Sequence, residues 1–420
     1  MKVVFSLTAG FVLAMALSAV AQQTPNAAPS TLAELLAEAE TNNPSISAAS
    51  HSALAARQMV PQATVLPDPK VTYQQFSVGS PKPFAGYTNS DFAYVGLGAS
   101  QELPYPGKLR LRGEVAERDA NTKQAEIGVT KADIDGQVKS DYLQLAYLQQ
   151  NLVLLRENES ILDQLIEDAT AHYQVGQGMQ RDVLDAQLER TKIVKDITLQ
   201  RQQVGLLQAR LKGLLHRDQA SPDIVAEDLT EHTLPMSSAD LLAVVRKNNP
   251  QLVVDAKDID KQDAQVASAK RESKPDFELG YVYQNTDRKY RDYYMLTFDV
   301  TFPRKKRVNA EVAQAQEQLI ASQKTLDAHT QEQLADAQQE VVKAQSDEEL
   351  LKELSDGLIP QSEASYRATI NAYSTNREVF TRVLRGFSGL LDLRLQYAAT
   401  LLEHESALAH LETLTGATLR

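Results

Sequence analysis

The chain has 420 residues, 43% hydrophobic and 23% charged, with a formal net charge of -12. That acidity argues against a general nucleic-acid binder, which carries a basic face. The absence of cysteine excludes disulfide scaffolds, thiolate metal sites and cysteine nucleophiles, and sparse glycine (18) and proline (16) favour long regular elements.

Residues 1–21 read as a secretory signal peptide. Lys2 supplies a short positive region, Val3 to Val20 is largely apolar, and Ala19-Val20-Ala21 fits a small-x-small cleavage site before Gln22. No other run reaches the ~18 apolar residues a membrane helix needs. An exported chain of this kind that spans a membrane must do so as strands.

The mature sequence contains itself twice. Leu35-Leu36-Ala37 and Asn42-Asn43-Pro44 recur at the same offset as Leu241-Leu242-Ala243 and Asn248-Asn249-Pro250. Pro67-Asp68 matches Pro275-Asp276, and Leu103-Pro104 matches Phe302-Pro303. The expected organisation is a first repeat over 22–216, a polar linker over 217–237 holding Pro222 and Pro235, and a second repeat over 238–420.

In the first repeat, a helix is predicted near 31–62 and strands over 69–79 and 90–103. Val71 and Tyr73 lie on one strand, and Gly96 and Gly98 lie inside the other. A helical hairpin over 108–216 follows. From Leu109 to His172, apolar residues such as Ile127, Ile134, Val138, Tyr142, Leu145, Leu148, Leu152 and Leu155 recur mostly at three or four. Such a helix would be on the order of 100 Å long, which suits coiled-coil packing rather than a globular core.

The second repeat predicts a helix near 238–272, strands over 275–285 and 291–303, and a hairpin over 304–420. Pro360 should kink or break its outgoing helix. In the last strand, Tyr294, Leu296, Phe298, Val300 and Phe302 alternate with Met295, Thr297, Asp299 and Thr301. Tyr294, Leu296, Phe298 and Val300 are the candidate lipid-facing residues. Composition alone leaves a small soluble sheet over a helical core equally open. A membrane reading needs several chains, because barrels start at about eight strands.

Catalytic constellations are missing from the sequence. The seven histidines are scattered, and neither a phosphate-binding glycine loop nor a nucleophile elbow occurs. The expectation is no enzyme, no cofactor and no metal.

Taken in order, the signal peptide, the two-fold repeat, the two strand pairs and the two helical hairpins resemble a TolC-type outer-membrane efflux channel over the whole mature chain. Pro104-Tyr105-Pro106-Gly107-Lys108-Leu109 is similar to that family's strand-to-helix junction. Tyr173-Gln174-Val175-Gly176 with Asp182-Val183-Leu184-Asp185-Ala186 is similar to its hairpin tip, and Leu411-Glu412-Thr413-Leu414-Thr415-Gly416 to its last helix end. Leu66-Pro67-Asp68-Pro69 and the Pro-x-Pro-Gly-Lys turn resemble the family's heavy-metal branches.

The resemblance implies a mainly α fold with a small β part. Long hairpins of three chains would form a periplasmic α-barrel, and four strands from each would share a twelve-stranded outer-membrane β-barrel. It also implies a homotrimer, a periplasmic adaptor, an inner-membrane pump, outer-membrane lipid and passive efflux. The alternative is a soluble periplasmic adaptor or coiled-coil structural protein.

The tips are where function is expected. Asp182 and Asp185 in the first correspond to Arg382 and Arg385 in the second. Three-residue spacing puts each pair on one helix face. The expectation is that the aspartates face the arginines around a closed mouth. This departs from the family's acidic constriction. Adaptor contact is expected at Tyr173, Val175, Gly176 and Gln177, with Met179 beside them, and at Tyr373, Ser374, Thr375 and Asn376. Tyr173 and Tyr373 read equally well as core residues. Asn376 stands where the first turn has Gly176.

Overall fold

The computed structural model describes residues 29–88, 90–234, 236–286 and 291–417. The signal-peptide segment lies outside them, as does the 287–290 part of the connection between the last two strands. In chain order the elements are α1 (Leu32–Asn42), α2 (Pro44–Thr64), β1 (Lys70–Phe76), β2 (Tyr94–Leu103), α3 (Lys108–Gln174), α4 (Gln180–Leu214), α5 (Ser238–Asn248), α6 (Pro250–Arg271), β3 (Asp276–Asn285), β4 (Asp292–Thr301), α7 (Lys305–Lys352), α8 (Ile359–Ser374) and α9 (Phe380–Thr415).

The single helices expected over 31–62 and 238–272 are each two helices. The cause is the repeated Asn-Pro. Proline disfavours a helical residue before it and suits the first position of a new helix. Asn43 and Asn249 therefore leave the helix and cap the next one. The Asn43 side chain accepts from Ser45 N (2.8 Å), and that of Asn249 from Gln251 N (3.0 Å). Each Asn also donates its amide to the carbonyl closing its own repeat. Asn43 Nδ2 reaches Leu214 O at 2.8 Å, and Asn249 Nδ2 reaches Leu414 O at 3.1 Å. One buried side chain thus ties the start of each repeat to its end. Asn249→Ala loses a cap and leaves a buried carbonyl unpaired, an expected cost of about 2 kcal/mol. Denaturant unfolding checks this; a loss below about 0.5 kcal/mol would mean that water replaces both bonds.

The four strands form one antiparallel sheet in the order β1-β2-β3-β4. Register aligns Tyr73, Leu97, Tyr283 and Tyr294 in one row and Val71, Ala99, Tyr281 and Leu296 in the next. Both rows lie on the same face. Most of it faces outward: Val71 is 78% exposed, Leu296 72%, Tyr294 67% and Phe298 62%. The opposite face carries Thr72, Gln74, Gly96, Gly98, Ser100, Glu278, Gly280, Gln284, Thr297 and Asp299, together with the apolar Phe76, Tyr94, Val282, Tyr293 and Met295. Gly96 has no room for a side chain, since a Cβ there would lie 2.7 Å from the Tyr283 carbonyl oxygen. β1 and β4 each keep one edge without a partner strand in the sheet.

The helices are unequal. α3 has 67 residues, but the returning α4 has only 35. α1 and α2 pack along α3 as well. α6 packs on α3 and α7, and α9 packs on α3, α7 and α8. Four apolar clusters fill the helical body among the described residues: α1, α3 and α4 with Ile224 and Ala226; the tip-proximal parts of α3, α4 and α9; α5, α7 and α9; and a small one of Val266, Ala269 and Ala315 between α6 and α7.

Pro360 does not break its helix. Residues Glu353–Leu358 form a π-helical stretch joining α7 to α8, with Pro360 in the first turn of α8. The wider turn accommodates a residue that has no N–H to donate. The segment expected as a linker is likewise held in place. Gln208 Nε2 donates to Ile224 O (2.7 Å), Gln149 accepts from Ala226 N (3.0 Å), and Ile224 is 2% exposed. Farther along, buried Glu405 of α9 accepts from His232 N at 2.9 Å.

Candidate functional site

The two hairpin tips are built alike. In the first, Gly176 takes a left-handed φ of 75°; Gln177 N–H donates to His172 O (2.8 Å) and Gly176 N–H to Tyr173 O (3.1 Å). In the second, Asn376 takes φ 54°; Arg377 N–H donates to Ala372 O (2.9 Å) and Asn376 N–H to Tyr373 O (2.9 Å). Both are paired closing bonds around a left-handed residue, which glycine and then asparagine tolerate best. The tips touch: Asn376 Nδ2 meets Gln177 Oε1 at 3.4 Å, and the His172 and Tyr373 rings stack at 5.0 Å.

The four tip charges do not pair with one another within the chain. Asp182 caps α4 by accepting from Met179 N (3.3 Å). Asp185 pairs with Arg181 at 3.3 Å, and Arg382 with Glu378 at 3.4 Å. Arg385 is exposed and has no ion-pair partner among the described residues. Sequence correspondence put opposite charges at matching positions. It did not weigh the local i, i+4 partners that each tip also supplies.

The two tip tyrosines differ. Tyr173 is 46% exposed. Tyr373 packs into the apolar cluster with Phe380, its ring edge-on to that phenylalanine at 5.5 Å. Its hydroxyl is buried without a hydrogen-bond partner. Burial, with Asp182 and Asp168 nearby, pushes that hydroxyl above the usual tyrosine range. The cluster also joins Leu162, Leu165 and Ala186 of the first hairpin to Val383 and Phe387 of the second. Sequence reading missed this shared core, although Phe380, Val383, Phe387 and Leu391 recur at helical spacing.

Ser374, Thr375, Asn376 and Gln177 are exposed, and Gly176 lies in open space. Around them Val175 (68%) and Met179 (70%) stand in solvent, with Val379, Leu184 and Leu188 also exposed. Leu188 gave no motif signal; its outward position depends on which face α4 turns to α3. At the other end of the molecule, Tyr294, Leu296, Phe298 and Val300 share the outward face of the sheet. Among the described residues there is no cluster able to hold a metal ion, and no helix is long and apolar enough to cross a membrane.

Residues 35–215 match the family model described as outer membrane efflux protein. No curated protein matches. Among solved structures, the outer-membrane channel OprN superposes with a TM-score of 0.77 at 16% identity, over 92% of this chain and 90% of that one. The outer membrane protein VceC from Vibrio cholerae gives 0.77 at 17%, over 93% and 97%. The open state of the MtrE outer membrane channel from Neisseria gonorrhoeae gives 0.76 at 17%, over 93% and 89%. At these identities it is the fold that is shared, and it is shared across nearly the whole chain.

Proposed function

We propose that this chain, an outer membrane efflux protein by the match of its first repeat and by its fold, is one third of a passive exit duct. The sheet carries the reading. Its more apolar face, with Val71, Tyr294, Leu296 and Phe298, is left exposed, and most of its glycine and polar residues lie on the other, the reverse of a soluble sheet packed on a core. Both outer edges are open, which a soluble protein would cover or blunt. Three copies bring twelve strands, enough to close a barrel and remove every edge.

From that barrel α3 extends on the order of 100 Å. The distance is enough to carry the tips deep into the periplasm. There the exposed Val175, Gly176, Gln177 and Tyr173, with Ser374, Thr375, Asn376 and the margin of Tyr373, offer a surface for a periplasmic adaptor serving an inner-membrane pump. No reacting group is needed for a conduit.

The tip charges act between protomers in this reading. Arg385 is free to meet an aspartate of a neighbouring chain, and Arg382 can exchange Glu378 for Asp182 or Asp185. Exposed pairs of this kind are worth about 0–1 kcal/mol each, a factor of up to about five in the closed population per pair. Planar-bilayer conductance tests it: Arg382→Asp should raise the closed-state leak two- to fivefold per protomer contact, as an order of magnitude. A closed state as tight as in the wild type would remove the lock and leave the duct standing.

A further inference from the structure

The two repeats treat the same junction in opposite ways. In the first, the cations after the strand pair are neutralised inside the chain. Lys108 is 2% exposed and pairs with Asp276 at 2.7 Å and Glu272 at 3.1 Å. Arg112 pairs with Glu272 at 2.8 Å, and Arg110 with Glu114 at 3.2 Å. In the second, Arg304, Lys305, Lys306 and Arg307 are all exposed. Only Arg307 has an ion pair among the described residues, a loose one of 3.7 Å to Glu311. No acidic residue lies between Asp299 and Glu311. Exposed Lys274 and Lys270 adjoin the same end of the sheet, since Asp276 stands opposite Thr301. In a chain of net charge -12, these cations, Arg307 apart, have no ion-pair partner among the described residues.

Their depth is set by the neighbouring apolar face. Phe302 is 75% exposed, and from Tyr294 to Phe302 the outward row runs about 27 Å at 3.4 Å per residue. Once the strand tilts, that is close to the ~25 Å apolar band of a membrane barrel. The basic cluster therefore sits where that band gives way to headgroups, on the side of the helices. Clusters of lysine and arginine at this level attract anionic lipid.

We propose that Lys270, Lys274 and Arg304–Arg307 form a clamp for anionic phospholipid in the leaflet on the helical side of the barrel. The proposal rests on the reading that this face of the sheet meets lipid. Lipid phosphate takes the place that Glu272 and Asp276 occupy for Lys108 in the first repeat.

The test is native mass spectrometry of the detergent-solubilised full-length assembly, titrated separately with phosphatidylglycerol and phosphatidylcholine. The wild type should prefer phosphatidylglycerol by on the order of 10- to 100-fold, and lose that preference at high salt. R304Q/K305Q/K306Q should bind both lipids alike, whereas K192Q/K195Q on α4 should behave as the wild type. A triple variant that keeps the preference, or a wild type without one, overturns the clamp. Outer-membrane recovery, measured in parallel, separates the two readings. A recovered assembly with no lipid preference overturns the clamp alone, and a protein absent from that membrane overturns the lipid-facing sheet with it.

Discussion

Truncating Glu412 to alanine is expected to destabilise the protein by about 3–5 kcal/mol, because it leaves a buried ammonium without its partner. Lys139 Nζ lies 2.8 Å from Glu412 Oε2, with side chains only 10% and 2% exposed. The pair joins α3 of the first repeat to α9 of the second, so its loss should loosen the seam between the halves. Replacing both, as Lys139→Met with Glu412→Leu, removes the stranded charge and should recover most of the loss. The neighbouring Asp135 adds a pH signature. Burial, reinforced by Glu40, raises its carboxyl to about 6. A raised folded value means that ionising Asp135 costs stability in the wild type: the penalty is absent below about 4 and complete above about 6. In Glu412→Ala the same carboxylate is the remaining anion near Lys139. The variant should therefore suffer most below about pH 6, where Asp135 is protonated. Thermal scans of both variants from pH 5 to 8 check this. A single variant no worse than the double, at every pH, would contradict it.

Phe380→Ala should cost about 3–5 kcal/mol as well, through the cavity it leaves in a packed core. Its consequence should be local. Phe380 is 2% exposed at the first residue of α9 and packs against Tyr373 inside the cluster shared by both hairpins. Hydrogen exchange should rise in the stretches around 160–190 and 365–390 and stay unchanged in β1 to β4. Because Phe380 begins the helix that carries Arg382 and Arg385, the charges of the proposed lock, leak in planar bilayers should rise too. Uniformly faster exchange across the chain would show that the tip core is not a separate unit.

The sequence made the repeat, the sheet and the long helices legible because each rests on a local pattern. Period two along Tyr294–Val300 follows from the strand, and proline-free helical spacing over 108–174 follows from α3. What it hid depends on partners distant in sequence. Asn43 and Asn249 were visible as a recurring motif, but their double role needs Leu214 and Leu414, which close the repeats. The stretch at 217–237 looked like a polar linker because its docking residues, Ile224 and Ala226, are few; the glutamines that hold it lie on α3 and α4. The charges at 182, 185, 382 and 385 were visible in the sequence, but the partners of two of them were not: Asp185 pairs with Arg181 and Arg382 with Glu378, each one turn away. Tyr173 and Tyr373 look equivalent in sequence and are not, since only the second has Phe380 beside it and His172 beneath it.

The central claim, a barrel shared by three chains, is tested most directly by fractionating cells that express the full-length protein and weighing the detergent-solubilised product. Recovery in the outer membrane with a protein mass of three chains is the predicted result. A periplasmic monomer that needs no detergent would contradict it. The outward apolar face of β1 to β4 would then need a cover other than lipid and neighbouring protomers.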